Sequence, residues 1–272
     1  MKQVASLRYG VMFKKAFCDP EIFTAFVRDV AGVVIEIDHV ETEKAFSPPI
    51  GRVDSRFDLY AEDRKHRTVV DIQHERYPDH YHRFLHYQCV AILEQVAKAE
   101  DYRPPAQVLT IVVLTSGDRH KCDTATIDFD PKDRQGRPLR EIFHRVIYLC
   151  PKYVTDETPE PYREWLRAIA DSLDGEVDET QYTRPEIRKI FDYIEKDRIS
   201  PQERARMFDE HGQEALTRKK IKKGAKRQAR NIARKMLAKG YAAEDICELT
   251  GLTADDLAAL PAETPENGGH SA

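Results

Sequence analysis

The sequence predicts an α/β core followed by a helical C-terminal extension. Up to residue 150, short apolar runs of strand length alternate with longer stretches of 3.6-residue periodicity, the pattern of strands interleaved with helices. Two of those runs are separated only by a polar turn and carry acids at facing places. After Pro151 the strand pattern gives way to highly charged helical periodicity.

The elements follow in order. Residues 9–31 read as an amphipathic helix with Met12, Phe13, Phe17, Phe23, Phe26, Val27 and Val30 on its apolar side. Asp19-Pro20 divides it, because the residue before proline avoids helical geometry, and Gly32 ends it. Residues 33–37 (Val-Val-Ile-Glu-Ile) begin a strand, and 47–51 are a Pro- and Gly-containing loop. Residues 55–61 and 68–74 are the two hairpin strands. A second helix over 81–99 presents Phe84, Tyr87, Val90, Ala91 and Val96. Residues 108–114 and 146–149 are continuous apolar runs, as in strands covered on both faces. Between them, 116–140 is rich in Asp, Lys, Gly and Pro and reads as a surface excursion. Helical patterns then cover 160–173, 185–196 and 201–239, the last with a break expected at Gly212 or Gly224. Two short helices, 243–249 and 253–260, flank the turn at Thr250-Gly251. The tail 261–272 lacks core-forming residues and is expected to be disordered. The expected division is a core over 1–153, an extension over 154–260 and the tail.

Composition narrows the function classes. Of 272 residues, 33% are charged and 41% hydrophobic, which fits a globular protein with a polar surface. No apolar run approaches the ~20 residues of a membrane span, and Met1-Lys2-Gln3 leads into no signal-peptide core. Five cysteines without a Cys-x-x-Cys pair suit a reducing compartment, so a cytoplasmic location is expected, with no membrane partner. Net charge of −4 conceals an asymmetry: the 11 Lys and Arg between Arg218 and Lys239 stand without one acid, leaving 32 basic against 47 acidic groups elsewhere.

The hairpin carries the chemistry. A turn centred between Arg64 and Lys65 sets Asp58 opposite Asp71, with side-chain roots roughly 5 Å apart, and strand alternation puts Gln73 on the same face as Asp71. Two acids and an amide gathered there can hold a hard divalent ion with open positions for water and phosphate. Read alone, the same acids could also be the solvent face of a half-exposed hairpin. His82 and His86 have a zinc-compatible spacing but no matched Cys or acid partner, so they read as helix-face histidines. Cys122 beside His120 has no third member for nucleophilic catalysis.

Several segments together resemble the PD-(D/E)XK nuclease superfamily, and more narrowly the recombination-promoting nuclease and putative transposase family of bacteria. They are Tyr9-Gly10-Val11-Met12-Phe13-Lys14-Lys15-Ala16-Phe17, Ser55-Arg56-Phe57-Asp58, Val70-Asp71-Ile72-Gln73, Arg83 with Tyr87, and the run from Ala238-Lys239-Gly240-Tyr241 through Ile246 to Thr250-Gly251-Leu252. They occur in order over nearly the whole chain. The resemblance implies a restriction-endonuclease-like core, a mixed sheet flanked by helices, and Mg²⁺- or Mn²⁺-dependent endonucleolytic cleavage of DNA. It implies that Asp58 and Asp71 ligate the metal with the Ile72 carbonyl as a further ligand. Gln73, where the superfamily usually has lysine, would orient the water, and Arg83 would support the substrate phosphate. Two departures stand out. The family usually has an acid at the position of Gly10, whose loss removes either a helix cap or an accessory metal contact, and it more often has Glu at the position of Asp71.

The basic arm, with Lys219, Lys220, Lys222, Lys223, Lys226, Arg227 and Arg230, is expected to contact the DNA backbone through counterion release. Dimerisation against the acidic body is the other use of such an arm. The closing helix pair has the turn and apolar spacing of a small helix-turn-helix-like unit, but its second helix carries Asp255 and Asp256, a poor reader of base edges, so packing or self-association is its expected job. The rivals to a nuclease are a catalytically degenerate DNA-binding protein and an oligomeric interaction module.

Overall fold

The computed structural model describes residues 1–46, 55–74, 77, 80–96 and 102–260. The chain forms two compact units, Met1–His211 and Gly212–Ala272.

In the first unit, strand β1 (Lys2–Gln3) leads to helices α1 (Gly10–Phe17) and α2 (Pro20–Ala31). The break between the helices is a cap. Asp19 accepts from the backbone N–H groups of Glu21 and Ile22 at 3.0 and 3.3 Å, and Pro20 takes the first helical position, where its missing N–H is not needed. Gly32 closes α2 at φ 68°. Next come β2 (Glu41–Ala45), β3 (Arg56–Glu62), β4 (His66–Gln73), α3 (His80–Val96), β5 (Gln107–Leu114), β6 (Thr124–Asp128) and β7 (Arg145–Leu149). Helix α4 (Tyr162–Ser172), β8 (Glu176–Val177), α5 (Pro185–Tyr193) and the start of α6 (Pro201–Ala238) complete the unit.

The main sheet has the order β2-β3-β4-β5-β7-β6. The β2/β3, β3/β4 and β6/β7 pairs are antiparallel and β4/β5 and β5/β7 are parallel, so the sheet is mixed. The strands β5 and β7, apolar on both faces, lie inside it under helices on either side, as their composition requires. On one face Leu59, Val70, Ile111 and Ile147 pack against α1, α2, α4 and α5. Trp165 sits in this core, its ring 5.3 Å from Phe26, and its Nε1 donates to Asp29 at 2.9 Å, so the buried indole loses no hydrogen bond. Burying each such side chain is worth about 1.5–3 kcal/mol. Because α4 and α5 share this core, the compact unit continues past residue 153. On the other face α3 covers Phe57, Tyr60, Val69, Val112 and Tyr148. Its fully buried Gln88 donates to the Val108 carbonyl and accepts from Thr110, which fixes the helix along β5.

The structure departs from the expected elements in three places. Residues 33–37 are not a strand: Ile35 is buried, Val34 is exposed, and the Glu36 N–H goes to the Asp63 carboxylate. The edge beside β3 is taken instead by the polar pentapeptide Glu41–Ala45, which an edge strand tolerates because only one side is paired. The excursion over 116–140 contains β6, a second edge strand antiparallel to β7. No break occurs at Gly212 or Gly224; α6 runs as one 38-residue helix, in which two exposed glycines cost only about 1 kcal/mol each. The loop 47–51, residues 97–99 and the tail 261–272 lie outside the described residues.

In the second unit the C-terminal part of α6, α7 (Ala243–Thr250) and α8 (Ala254–Ala258) bury Ala233, Ile246, Leu252 and Leu257. Gly251 makes the turn at φ 67°, and the Thr253 hydroxyl caps α8 by accepting from the Asp256 N–H at 3.1 Å.

Candidate active site

The hairpin register is the one its turn dictates. Asp63 accepts from the N–H groups of Lys65 and His66, both at 2.7 Å, which fixes the turn. The ladder then runs from Glu62↔Arg67 to Leu59↔Val70 and stops. One step further, the same register sets Asp58 against Asp71, and there the backbone groups turn from the opposite strand to the carboxylates. The Ile72 N–H donates to Asp58 Oδ2 at 3.2 Å, and the Asp58 N–H donates to the Asp71 carboxyl. The two acids thus hold open the end of the ladder.

Asp71 is 3% exposed, and its Oδ2 has no hydrogen-bond partner among the described residues. Burial pushes its carboxyl well above the usual carboxylate range, and the neighbouring Asp58 charge pushes it further; Arg83 and Lys14 pull partly against them. A buried carboxylate beside a second one, with one oxygen unsatisfied, is a site that a cation would relieve.

The other expected residues fall around this pair. Val69 packs under α3 and Arg67 donates to the Ala91 carbonyl of that helix, so alternation carries Asp71 and Gln73 to the α3 side. Gln73 is buried, and its carbonyl accepts from Thr115 at 3.1 Å. Ile72 is half-buried against the opposite core. Arg83 stands exposed on α3, its guanidinium lying over the rings of Tyr87 and Phe84 at 5.3 and 5.5 Å and donating to the Tyr87 hydroxyl at 3.1 Å. Its charge acts on both Asp71 and Asp58. Among the described residues, no three His, Cys, Asp or Glu side chains gather closely enough to hold a metal by themselves. Two carboxylates with a carbonyl and waters remain a sufficient donor set for a hard divalent ion.

Three site residues have no counterpart in the sequence reading. Lys14, on α1, places its ammonium 3.3 Å from Asp58 Oδ1 and also bonds Glu43. Glu43 stands on β2 beside Asp58, at φ 55°, between the paired residues Thr42↔Leu59 and Lys44↔Phe57. Glu210, on α6, accepts from the Gly10 N–H at 2.7 Å and the Val11 N–H at 3.0 Å and so caps α1. A Cβ at Gly10 would lie 3.7 Å from both Glu210 Oε2 and the Lys14 ammonium. The cap that an acid at residue 10 could have supplied therefore comes from Glu210. Burial raises the Glu210 carboxyl, the two amides and Lys14 lower it, and Asp58 is near enough to raise it again. Lys14 carried a local signal, a cation set among Val11, Met12, Phe13, Ala16 and Phe17, all buried. Glu210 carried none.

In the second unit Lys219, Lys220, Lys222, Lys223, Lys226 and Arg227 are exposed and Arg230 is half-exposed. Two of the seven are engaged within it: Lys226 pairs with Asp256 at 2.7 Å and Arg230 at 3.4 Å. Asp256 thereby ties α8 to the arm.

A mixed sheet with α1 before its paired-acid hairpin and α3 after it is the restriction-endonuclease-like architecture of a nuclease. The chain belongs to the family described as PD-(D/E)XK nuclease family transposase, whose profile matches residues 15–223. Residues 226–261 match the C-terminal HTH domain of the Rpn/YhgA-like nuclease family. No curated protein and no solved structure shows a significant match. No helix among the described residues is long and apolar enough to cross a membrane.

Proposed function

We propose that this protein is a metal-dependent DNA endonuclease that hydrolyses phosphodiester bonds and works with recombination or mobile elements. The observation that carries the reading is the buried Asp71 oxygen, without a partner among the described residues, beside Asp58 at the open end of the hairpin. Asp58, Asp71 and the Ile72 carbonyl would hold Mg²⁺ or Mn²⁺. Such an ion neutralises charge on the phosphate and makes a bound water nucleophilic near neutral pH. Gln73 can both donate and accept, which suits it to orient that water. Arg83, exposed and braced by Tyr87, can pair with a non-bridging phosphate oxygen on the α3 side. The exposed lysines of α6 and the helix-turn-helix match support contact with the DNA backbone.

Cleavage of supercoiled plasmid with Mg²⁺ or Mn²⁺, beside EDTA and an Asp71→Ala variant, tests the reading. Metal-dependent nicking that disappears in the variant is expected. DNA retained in a gel shift without cleavage by either protein would replace it with the degenerate DNA-binding reading.

A further inference from the structure

Gln73 carries no charge, and Arg83 approaches the acid pair only from the α3 side. Cleavage of a phosphodiester spreads negative charge over several oxygens, and fixed positive charge aimed at them is among the largest contributions a protein can make. We propose that Lys14 is the catalytic cation of this site, delivered from α1 in place of a charged residue at Gln73. The inference rests on the nuclease reading.

The geometry supports it. The Lys14 ammonium lies 3.3 Å from Asp58 Oδ1, bonds Glu43 from the neighbouring strand, and is within electrostatic reach of the Glu210 carboxylate that caps its helix. A lysine ammonium is charged near neutral pH, and Asp58 and Glu43 flank this one from two strands. Its position on the helix is fixed by Val11, Met12, Phe13, Ala16 and Phe17, which bury α1 against the core, and by Glu210 at the helix start. Only the flexible lysine stem is left to move. Asp58 cannot give the same oxygen to an ammonium and to a divalent ion. An ion held by Asp58 would leave Lys14 paired with Glu43 at the edge of the acid pair, free to meet a substrate phosphate.

The test uses the full chain as Lys14→Gln, Gln73→Lys and the double variant. Single-turnover plasmid cleavage and Mn²⁺ titration without DNA are measured for each. Lys14→Gln is expected to cleave about 10²-fold more slowly at saturating metal, the loss typical of one transition-state donor. The same variant is expected to bind Mn²⁺ more tightly, because Asp58 no longer shares its oxygen with an ammonium. The double variant should recover rate over Lys14→Gln, which a purely structural role for Lys14 would not allow. Cleavage by Lys14→Gln at the parent's rate, or unchanged Mn²⁺ affinity, would overturn the proposal. If the parent itself fails to cleave, the nuclease reading falls, and the Mn²⁺ comparison still decides whether Lys14 is the ammonium seated at Asp58.

Discussion

The two ends of one hairpin each carry aspartate, and the contrast between them separates scaffold from chemistry. At the turn, Asp63 accepts from three backbone N–H groups, those of Lys65, His66 and Glu36, and from the His66 ring. Burial works against its charge, but these bonds outweigh burial and hold the carboxyl below its usual range. At the open end Asp71 is buried deeper, faces a second acid, and leaves Oδ2 without a partner among the described residues. The same side chain is therefore settled at one end and frustrated at the other. Residue type alone does not distinguish the two; the partners do.

The comparison yields predictions of decreasing size. Asp71→Ala should lower metal-dependent plasmid cleavage by at least about 10³-fold, equivalent to about 4 kcal/mol of transition-state stabilisation. Asp63→Ala should leave the rate per folded molecule within about threefold, since it lies at the far end of the strands; a larger loss would break the division. The same Asp63→Ala change should destabilise the fold by about 1–3 kcal/mol, through backbone donors left unpaired. Thermal unfolding would register it as a lower Tm, by about 2–4 °C per kcal/mol. The smallest effect has the opposite sign. In metal-free buffer near neutral pH, Asp71→Asn should raise the Tm, because it removes a charge that the folded state disfavours.

The pH dependences also run in opposite directions. Asp63 is depressed on folding, so its contribution is present above the unfolded value of about 3.9 and is lost as acid reaches its folded value. Asp71 is raised, so its contribution is full below about 3.9 and is lost as pH climbs through its folded value. The advantage of Asp71→Asn should accordingly fade as the pH falls, and metal binding by the parent should tighten as it rises.

Much of this was legible in the sequence because it is set locally. The Asp19-Pro20 break, the hairpin register and the pairing of Asp58 with Asp71 follow from cap, turn and alternation rules acting over a few residues. Strands β2 and β6 escaped because edge strands need no apolar signature, and the glycines of α6 misled because a long helix absorbs their modest cost. Lys14 stood inside a recognised segment, yet its partners Glu43 and Asp58 come from two other strands. Glu210 could be assigned only once the chain had folded back on itself.

The cap that Glu210 places on α1 comes 200 residues after the amide it receives. In the order of synthesis, the hairpin acids and Lys14 are made early, and the start of their helix stays open until α6 has emerged. A chain interrupted between residues 153 and 209 holds every acid of the hairpin but cannot close α1. On the nuclease reading, unfinished copies of the protein are the ones whose cutting centre is left incomplete.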